Sequence, residues 1–474
     1  MNTTSEPTMA TQRTWIADTV QKVGETVTLM GWVDVRRDMG KLIFIDLRDQ
    51  TAIAQVVFLP NHAEAIEEAK KLRHEFVVKI VGQVNARPEK QVNPDMVTGT
   101  VEIEALELEI LTEAETTPFE LNKDTFNVEE ELRLKYRYLD LRTKRMQRNL
   151  RLRSEYIQKC REFLFKQKFT EIETPLLTKA TPEGSRDFLV PSRKNPGKFY
   201  ALPQSPQQYK QLLVGGGFER YFQLARCIRD EDLRADRGFE HTQLDIELAF
   251  VEYNEVLDIV EAMVIEVIEG MGFTIQQKPF PRITYKESME KYGADKFDLR
   301  TEEDKKNGVL AFAWVVEFPF FEKTDDGKWT FTHNPFSMPK PEHIEWLMNG
   351  TNIEDIITQQ YDLICNGYEA GGGSIRAHKP EILRATYKVM GYTDEEIDDS
   401  IGHILEAFTF GQPPHGGIGL GVERMIMNLA GEEFLREVQS FPMTMQGRTA
   451  VMDAPSAMPE DMLAEYDLKV DTKK

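Results

Sequence analysis

A chain of 474 residues is longer than one hydrophobic core usually serves, so two domains, or one domain with a large elaboration, are expected. The composition, 41% apolar and 29% charged, is globular, and no apolar run approaches the roughly 20 residues of a membrane span, which argues against a bilayer anchor. A net charge of −21 argues against a protein that coats nucleic acid non-specifically, because phosphate binding draws on Lys and Arg.

Residues 1–14 read as a flexible tail: Met1 to Gln12 lacks the basic start and apolar stretch of a signal peptide, and the cytoplasm is the expected compartment. Cys160, Cys227 and Cys365 are far apart and form no C-x-x-C pair, which predicts buried thiols rather than disulfides or a zinc site. Between 15 and 112 the chain alternates as half-buried strands do: Val27 to Val35, Leu42 to Leu47, Ile53 to Phe58, Phe76 to Val84 and Val101 to Leu111. A helical segment, Ala63 to Leu72, follows the third strand, and this order suits an OB-fold barrel. Such barrels stack bases on aromatics beside basic side chains, and Phe44 stands near Arg36, Arg37 and Arg48; a phenylalanine inside the barrel is the equal alternative.

Residues 113–131 are acidic and irregular around Pro118, as a linker would be. Just beyond, Arg133, Lys135, Arg137, Arg142, Lys144, Arg145, Arg148, Arg151 and Arg153 are opposed by Asp140 alone, which suggests either a local nucleic-acid contact or a solvated helix face. From 132 to 462, helical patterns such as Asn149 to Gln167 and Glu252 to Met271 alternate with strand-like runs, predicting an α+β domain on an antiparallel sheet; 463–474 reads as a C-terminal tail.

Three constellations in this region carry chemistry. Phe222 to Glu231 and His241 to Glu247 read as two antiparallel strands, with Arg229 and Glu231 on one face of the first and Gln243, Asp245 and Glu247 on one face of the second. An Arg there can clamp a phosphate bidentately, while carboxylates can hold an ammonium or a metal. In Tyr361 to Arg376, Asn366-Gly367 predicts a two-residue hairpin with Cys365 facing Tyr368, Ile364 facing Glu369 and Asp362 facing Gly371. Asp362 and Glu369 then share a face, as a pair that can hold Mg²⁺ together with phosphates. Gly416-Gly417-Ile-Gly419-Leu-Gly421-Val-Glu423-Arg424 reads as a glycine-spaced strand entering a helix, with room for a nucleotide.

Together with Phe169-Thr-Glu-Ile-Glu-Thr-Pro175, these segments resemble the three motifs of the class II aminoacyl-tRNA synthetases. Ala180-Thr-Pro-Glu183-Gly-Ser-Arg-Asp, Leu202-Pro-Gln204-Ser-Pro-Gln207-Gln-Tyr-Lys210, Arg229-Asp230-Glu231-Asp-Leu-Arg-Ala-Asp-Arg237 and Asn366 to Arg376 resemble the bacterial aspartyl-tRNA synthetases, and the resemblance covers nearly the whole chain. It implies activation of L-aspartate with ATP and Mg²⁺, transfer to tRNA(Asp), and a homodimer formed through the first motif.

On matching positions the resemblance implies that Lys210 and Arg376 hold the aspartate side chain and that Glu183 and Gln207 sit at its ammonium end. Gln243 and Asp245 line the pocket, and His333 closes over it. Arg229 grips the α-phosphate and also borders the aspartate. Asp230, Glu231, His241, Glu369, Gly421, Val422, Glu423 and Arg424 belong to the ATP site, with Arg229, Glu231 and Arg424 catalytic. Asp362 and Glu369 hold the metal, and Arg37, Phe44, Gln55 and Glu102 meet the anticodon. Asparagine would leave Lys210 and Arg376 without a full counter-charge, so aspartate should be preferred.

The sequence departs from the family in four places. The extra domain usual between the second and third motifs is replaced by a short link, Thr301 to Leu310. Gly238 stands where glutamine is usual, His241 where a phenylalanine stacks on adenine, and Lys168 where the first motif has glycine. Two rivals remain at this stage: an enzyme that charges both tRNA(Asp) and tRNA(Asn), against which Met39 leans, and a paralogue that only binds RNA or makes adenylate for another purpose.

Overall fold

The computed structural model describes residues 13–181 and 184–471, which fall into two compact units. The first runs to Glu129 and includes Tyr138–Lys144; the second holds Glu130–Arg137 and everything from Arg145 onward.

In the first unit, β1 (Thr26–Asp38), β2 (Ile43–Arg48), β3 (Ile53–Phe58), β4 (Val77–Ala86) and β5 (Val101–Thr112) close a barrel in the order β1-β2-β3-β5-β4, with helix α1 (Ala63–Ala69) after β3. The OB-type order is the one the alternation predicts. Leu29, Ile45, Leu47, Val56, Ile80 and Ile103 point inward and are fully buried, because every second side chain of each strand faces the axis.

The second unit is built on an eight-stranded sheet, so the mixed helix and strand content is as expected. Helix α2 (Lys144–Lys166) precedes β6 (Thr170–Glu171), α3 (Gln207–Gly215), β7 (Arg220–Ile228), β8 (Glu240–Ala249) and α4 (Tyr253–Gly270). There follow β9 (Arg282–Thr284), β10 (Phe312–Val316), β11 (Gln360–Cys365), β12 (Tyr368–Ile375), β13 (His415–Gly421) and α5 (Val422–Ala430). The sheet order is β9-β10-β11-β12-β13-β8-β7-β6, antiparallel except at its two outer pairs. From Asp245 to Ala249, β8 is buried at every residue, which follows from its central place with both faces covered.

Several expectations need correction. The Asn366-Gly367 turn forms with both residues at positive φ (53° and 90°), and Cys365–Tyr368 and Ile364–Glu369 pair as predicted. Beyond them the register shifts: Leu363 faces Gly371 and Asp362 faces Gly372, not Gly371, because Ala370 is the extra residue of a bulge. Strand β7 ends at Ile228, so Arg229 and Glu231 lie in the loop after it, not on a strand face. Helix α2 starts at Lys144 rather than Asn149.

The arginine-rich segment is solvated only in part: Lys135, Lys144, Arg148 and Arg151 are exposed, while its other arginines are committed to acids and carbonyls. Arg133 and Arg145 pair with Glu437 at 2.8 and 2.9 Å, Arg145 also reaches Glu432 at 2.8 Å, and Arg153 meets Glu423 at 2.9 Å. Arg137, 1% exposed, donates to the carbonyls of Arg436, Gln439 and Ser440. In the first unit Arg142 meets Glu75 at 2.7 Å.

The link Thr301 to Leu310 is ordered by local chemistry. Thr301 and Asp304 form a capping box on a short helix, Glu302–Lys306, and Leu310 bridges in parallel to Ile275. All three cysteines are buried thiols, and burial pushes Cys160 up to about 12. No helix among the described residues is long and apolar enough to cross a membrane.

Candidate active site

The register between β8 and β13 builds the floor of a cleft. Gln243 faces Gly421, Asp245 faces Gly419 and Glu247 faces Gly417, so each polar side chain of one strand has a glycine opposite it on the other. The absence of side chains matters: a Cβ on Gly419 would lie 1.9 Å from Gln243 Nε2, and one on Gly417 would lie 2.2 Å from Glu247 Oε2. Two interleaved patterns of period two, polar and glycine, thus fold into one surface.

Two cations stand on this floor. Lys210 Nζ, brought in by α3, is 2.8 Å from Asp245 Oδ1 and 3.1 Å from Glu247 Oε2. Arg376, just beyond β12, donates to Glu247 and to Ser374 Oγ and Gly417 O. Burial pushes the Glu247 carboxyl up, but Arg376 and Lys210 outweigh it and hold it down to about 2; Asp245, where burial prevails over Lys210, is raised. Among the buried atoms without hydrogen-bond partners are Asp245 Oδ2 and Gln207 Nε2 here and Glu423 Oε1 further along the cleft. An unpaired acceptor and an unpaired donor at one cleft suit a small zwitterion better than solvent-free packing.

The cleft above has a volume of about 320 Å³, and Gln207, Lys210, Arg229, Glu231, His241, Gln243, His333, Glu369, Arg376, Gly421, Glu423 and Arg424 all border it. Asp245 and Asp362 lie immediately beneath, bonded to residues that do. Val422 is buried at the start of α5. Asp230 stands aside from the cleft, its backbone N–H donating to Arg186 O. Glu183 lies outside the described residues.

Arg229 donates through Nε to Gln204 O at 3.2 Å, its one side-chain hydrogen bond among the described residues, which leaves both Nη groups available to an anion. Arg424 is held by Asp236 (3.2 Å) and by Glu369 O (3.1 Å). Between these guanidiniums His241 is kept neutral: burial first, then Arg229 and Arg424, push its ring down to about 3. Beside it, a Cβ on Gly238 would meet only Glu240 O, at 3.6 Å, so the missing side chain leaves open space.

Asp362 accepts from Gln360 Nε2 at 2.9 Å and faces His333 Nε2 at 3.2 Å. Burial raises Asp362 despite His333; burial lowers His333, but Asp362 prevails and raises it. Glu369 behaves oppositely, held down to about 2 against burial by Lys296 and Arg424. The ligand atoms of Asp295, His333 and Asp362 lie within 4.8 Å of one another.

On the barrel, Phe44 is half-buried on the outer surface and absent from the core, which removes the alternative of a core phenylalanine. Its register partner Arg37 grips Asp46 bidentately at 2.9 and 2.8 Å, and Gln55 donates to Glu102 at 2.8 Å. Arg48 is likewise paired with Glu75 at 2.9 Å and Arg36 with Asp38 at 3.1 Å, and of the three arginines Arg37 is the one in register with Phe44.

Sequence reasoning left two residues out of the site. Glu247 shares a face with Asp245, and the glycine opposite each is the signal that both matter. Lys296 lies in an irregular loop, where no periodicity points to it.

A sheet of this order, with a glycine strand entering a helix that carries Arg424, defines the catalytic fold of a class II synthetase. Residues 129–445 match the family described as tRNA synthetases class II (D, K and N), and residues 27–111 match the OB-fold nucleic acid binding domain. The chain is 38% identical to the aspartate–tRNA ligase of Geobacillus kaustophilus, covering 94% of this chain and 97% of that protein. It is 37% identical to the aspartate–tRNA(Asp/Asn) ligase of Halothermothrix orenii, over 95% and 97%. It belongs to the aspartate–tRNA ligase family. The first of these alignments runs over 573 positions, more than the 474 residues present, so the relative carries segments this chain lacks. Among solved structures, a putative aspartyl-tRNA synthetase from Leishmania major shares the fold at TM-score 0.73 and 22% identity, over 97% of both chains. An asparaginyl-tRNA synthetase from Entamoeba histolytica, in complex with asparaginyl-adenylate, does so at 0.71 and 24%, over 89% of this chain and 96% of its own.

Proposed function

We propose that the protein activates L-aspartate with ATP and transfers it to the 3′ end of tRNA(Asp). The observation that carries this reading is the pairing of Lys210 and Arg376 on one buried floor, beside the unpaired Asp245 Oδ2 and Gln207 Nε2 and within the same cleft as the free Nη groups of Arg229. Lys210 and Arg376 receive the substrate side chain, Gln207, Asp245, Gln243 and Glu183 its ammonium end, and His333 closes over it.

Because Asp245 and Glu247 already neutralise the two cations, aspartate is not selected by counter-charge alone, as the sequence suggested. Selection follows from donor count: Lys and Arg offer only N–H groups, and an asparagine amide would turn its own NH₂ donor against one of them. The substrate carboxylate attacks the α-phosphorus and displaces pyrophosphate, so no protein nucleophile is used. Arg229 takes the charge growing on the α-phosphate, and Arg424 with Glu231 orients the nucleotide. Neutral His241 offers its ring face to adenine, beside Gly421, Val422 and Glu423, while Asp230 supports the site from outside the cleft.

The donor set suits a hard cation: Asp362 and Glu369 supply carboxylate oxygens, and an ammonium already rests on Glu369 at 2.9 Å. Mg²⁺ bound there would neutralise the phosphates. Arg37, Phe44, Gln55 and Glu102 meet the anticodon, and the active form is a homodimer. Several relatives are named aspartate–tRNA(Asp/Asn) ligases, which supports charging of both tRNAs as the second reading.

The test is aspartate-dependent ATP–pyrophosphate exchange, followed by charging of purified tRNA(Asp) and tRNA(Asn), with Arg229→Ala as control. Exchange lost in Arg229→Ala and charging of tRNA(Asp) alone is expected. Charging of both selects the second reading, and no exchange with any amino acid overturns both.

A further inference from the structure

Lys296 belongs to none of the three motifs. It lies in the loop between helices Tyr285–Tyr292 and Glu302–Lys306, yet its Nζ is 2.9 Å from Glu369 Oε2. The same oxygen is 3.9 Å from Arg424 Nη1, so one carboxylate oxygen on the nucleotide side of the cleft is shared by two cations. The nearest other acid is its neighbour Asp295, at 4.0 Å.

With its side chain 35% exposed, this ion pair contributes little to stability. The chemistry of the group suits another task. A lysine carries a compact charge on a flexible four-carbon stem and can move between anions, whereas a guanidinium is a planar fork committed to one geometry. Glu369 is the more buried partner, 27% exposed, and costs free energy if left uncompensated. An amine that covers it before substrates arrive, and yields it when they do, removes that cost.

We propose that Lys296 is a placeholder cation: it neutralises Glu369 in the nucleotide-free protein and, once Glu369 is given over to the divalent cation, carries its charge to the departing pyrophosphate. This rests on the synthetase reading above. In the step served, an oxygen of the aspartate carboxylate bonds to the α-phosphorus, and the bond from that phosphorus to the bridging oxygen breaks. The electron pair stays on pyrophosphate. Lys296 forms no covalent bond and gives up no proton; it stabilises the new anion.

The experiment compares the unaltered protein with Lys296→Met and Lys296→Arg. Mn²⁺ titration by electron paramagnetic resonance without nucleotide reads competition for Glu369. Exchange kinetics separate the KM for pyrophosphate from that for aspartate. Lys296→Met is expected to bind Mn²⁺ roughly fivefold tighter and to raise the pyrophosphate KM roughly fivefold, the effect of one partly exposed charge. The aspartate KM should stay put, and Lys296→Arg, whose fork stays committed to Glu369, should leave the pyrophosphate KM raised while Mn²⁺ binding stays as in the unaltered protein. Unchanged or weaker Mn²⁺ binding in Lys296→Met overturns the proposal, as does a rise confined to the aspartate KM. If the unaltered protein shows no exchange, the synthetase reading fails, and the Mn²⁺ titration alone decides whether Lys296 competes for Glu369.

Discussion

Arg376 donates through Nε and Nη2 to both carboxylate oxygens of Glu247, at 2.9 and 3.2 Å, and neither side chain is more than 3% exposed. Lys210 reaches the same carboxylate at 3.1 Å. Glu247→Ala therefore strands two buried cations against Asp245 alone. A loss of about 3–5 kcal/mol in urea unfolding at neutral pH is expected, the scale for removing one partner of a buried pair. Stability within about 0.5 kcal/mol of the parent would show that the floor is not held by this carboxylate.

Two glycines of β13 should respond differently to one methyl group. At Gly417 a Cβ would meet the backbone oxygen of Ile246 at 2.0 Å, which cannot move without breaking the β8–β13 ladder. At Gly419 it would meet the end of the Gln243 side chain at 1.9 Å, which can swing away. Gly417→Ala is expected to be insoluble. Gly419→Ala should fold, with the aspartate KM raised roughly tenfold, the scale of one displaced polar contact. Soluble expression and exchange kinetics of the pair decide this; equal behaviour contradicts it.

His241 makes the catalytic unit acid-sensitive. Its pKa in the folded protein is down to about 3, mainly through burial, against an ordinary 6.5. Between those values the unfolded chain binds the proton that the folded one refuses, so stability is full above pH 6.5 and falls as pH drops towards 3. The contribution at pH 5 is at most about 2 kcal/mol. His241→Asn should flatten the urea midpoint between pH 6.5 and 5; a slope identical to the parent's would assign the acid sensitivity elsewhere.

Phe44 offers a separation of the two units. If it stacks on an anticodon base, Phe44→Ala should cost about 1–3 kcal/mol in tRNA binding, read as the KM for tRNA(Asp) in charging. Aspartate-dependent exchange, which needs no tRNA, should be unchanged. A parallel fall in exchange would mean that the substitution damages the protein as a whole.

The barrel was legible residue by residue. Ile53–Phe58 forms as predicted, and the other four strands begin and end within three residues of the expected positions, because alternation about a closed sheet is written locally in every strand. The Asn366-Gly367 turn was equally plain, since positive φ at two successive residues is a property of those residues. One step further on, the register of Asp362 was not, because the bulge at Ala370 reflects how β12 must fit β13 as well as β11.

The motifs thus named the family and most of the side chains that border the cleft, through residue type and spacing alone. Tertiary structure decided what those side chains are bonded to. Arg133 finds Glu437 some 304 positions away, Arg376 finds Glu247 across 129, and Lys296 reaches Glu369 from a loop without pattern. A buried charge must find its counter-charge in the folded chain, wherever in the sequence that partner lies, and local periodicity carries no record of the choice.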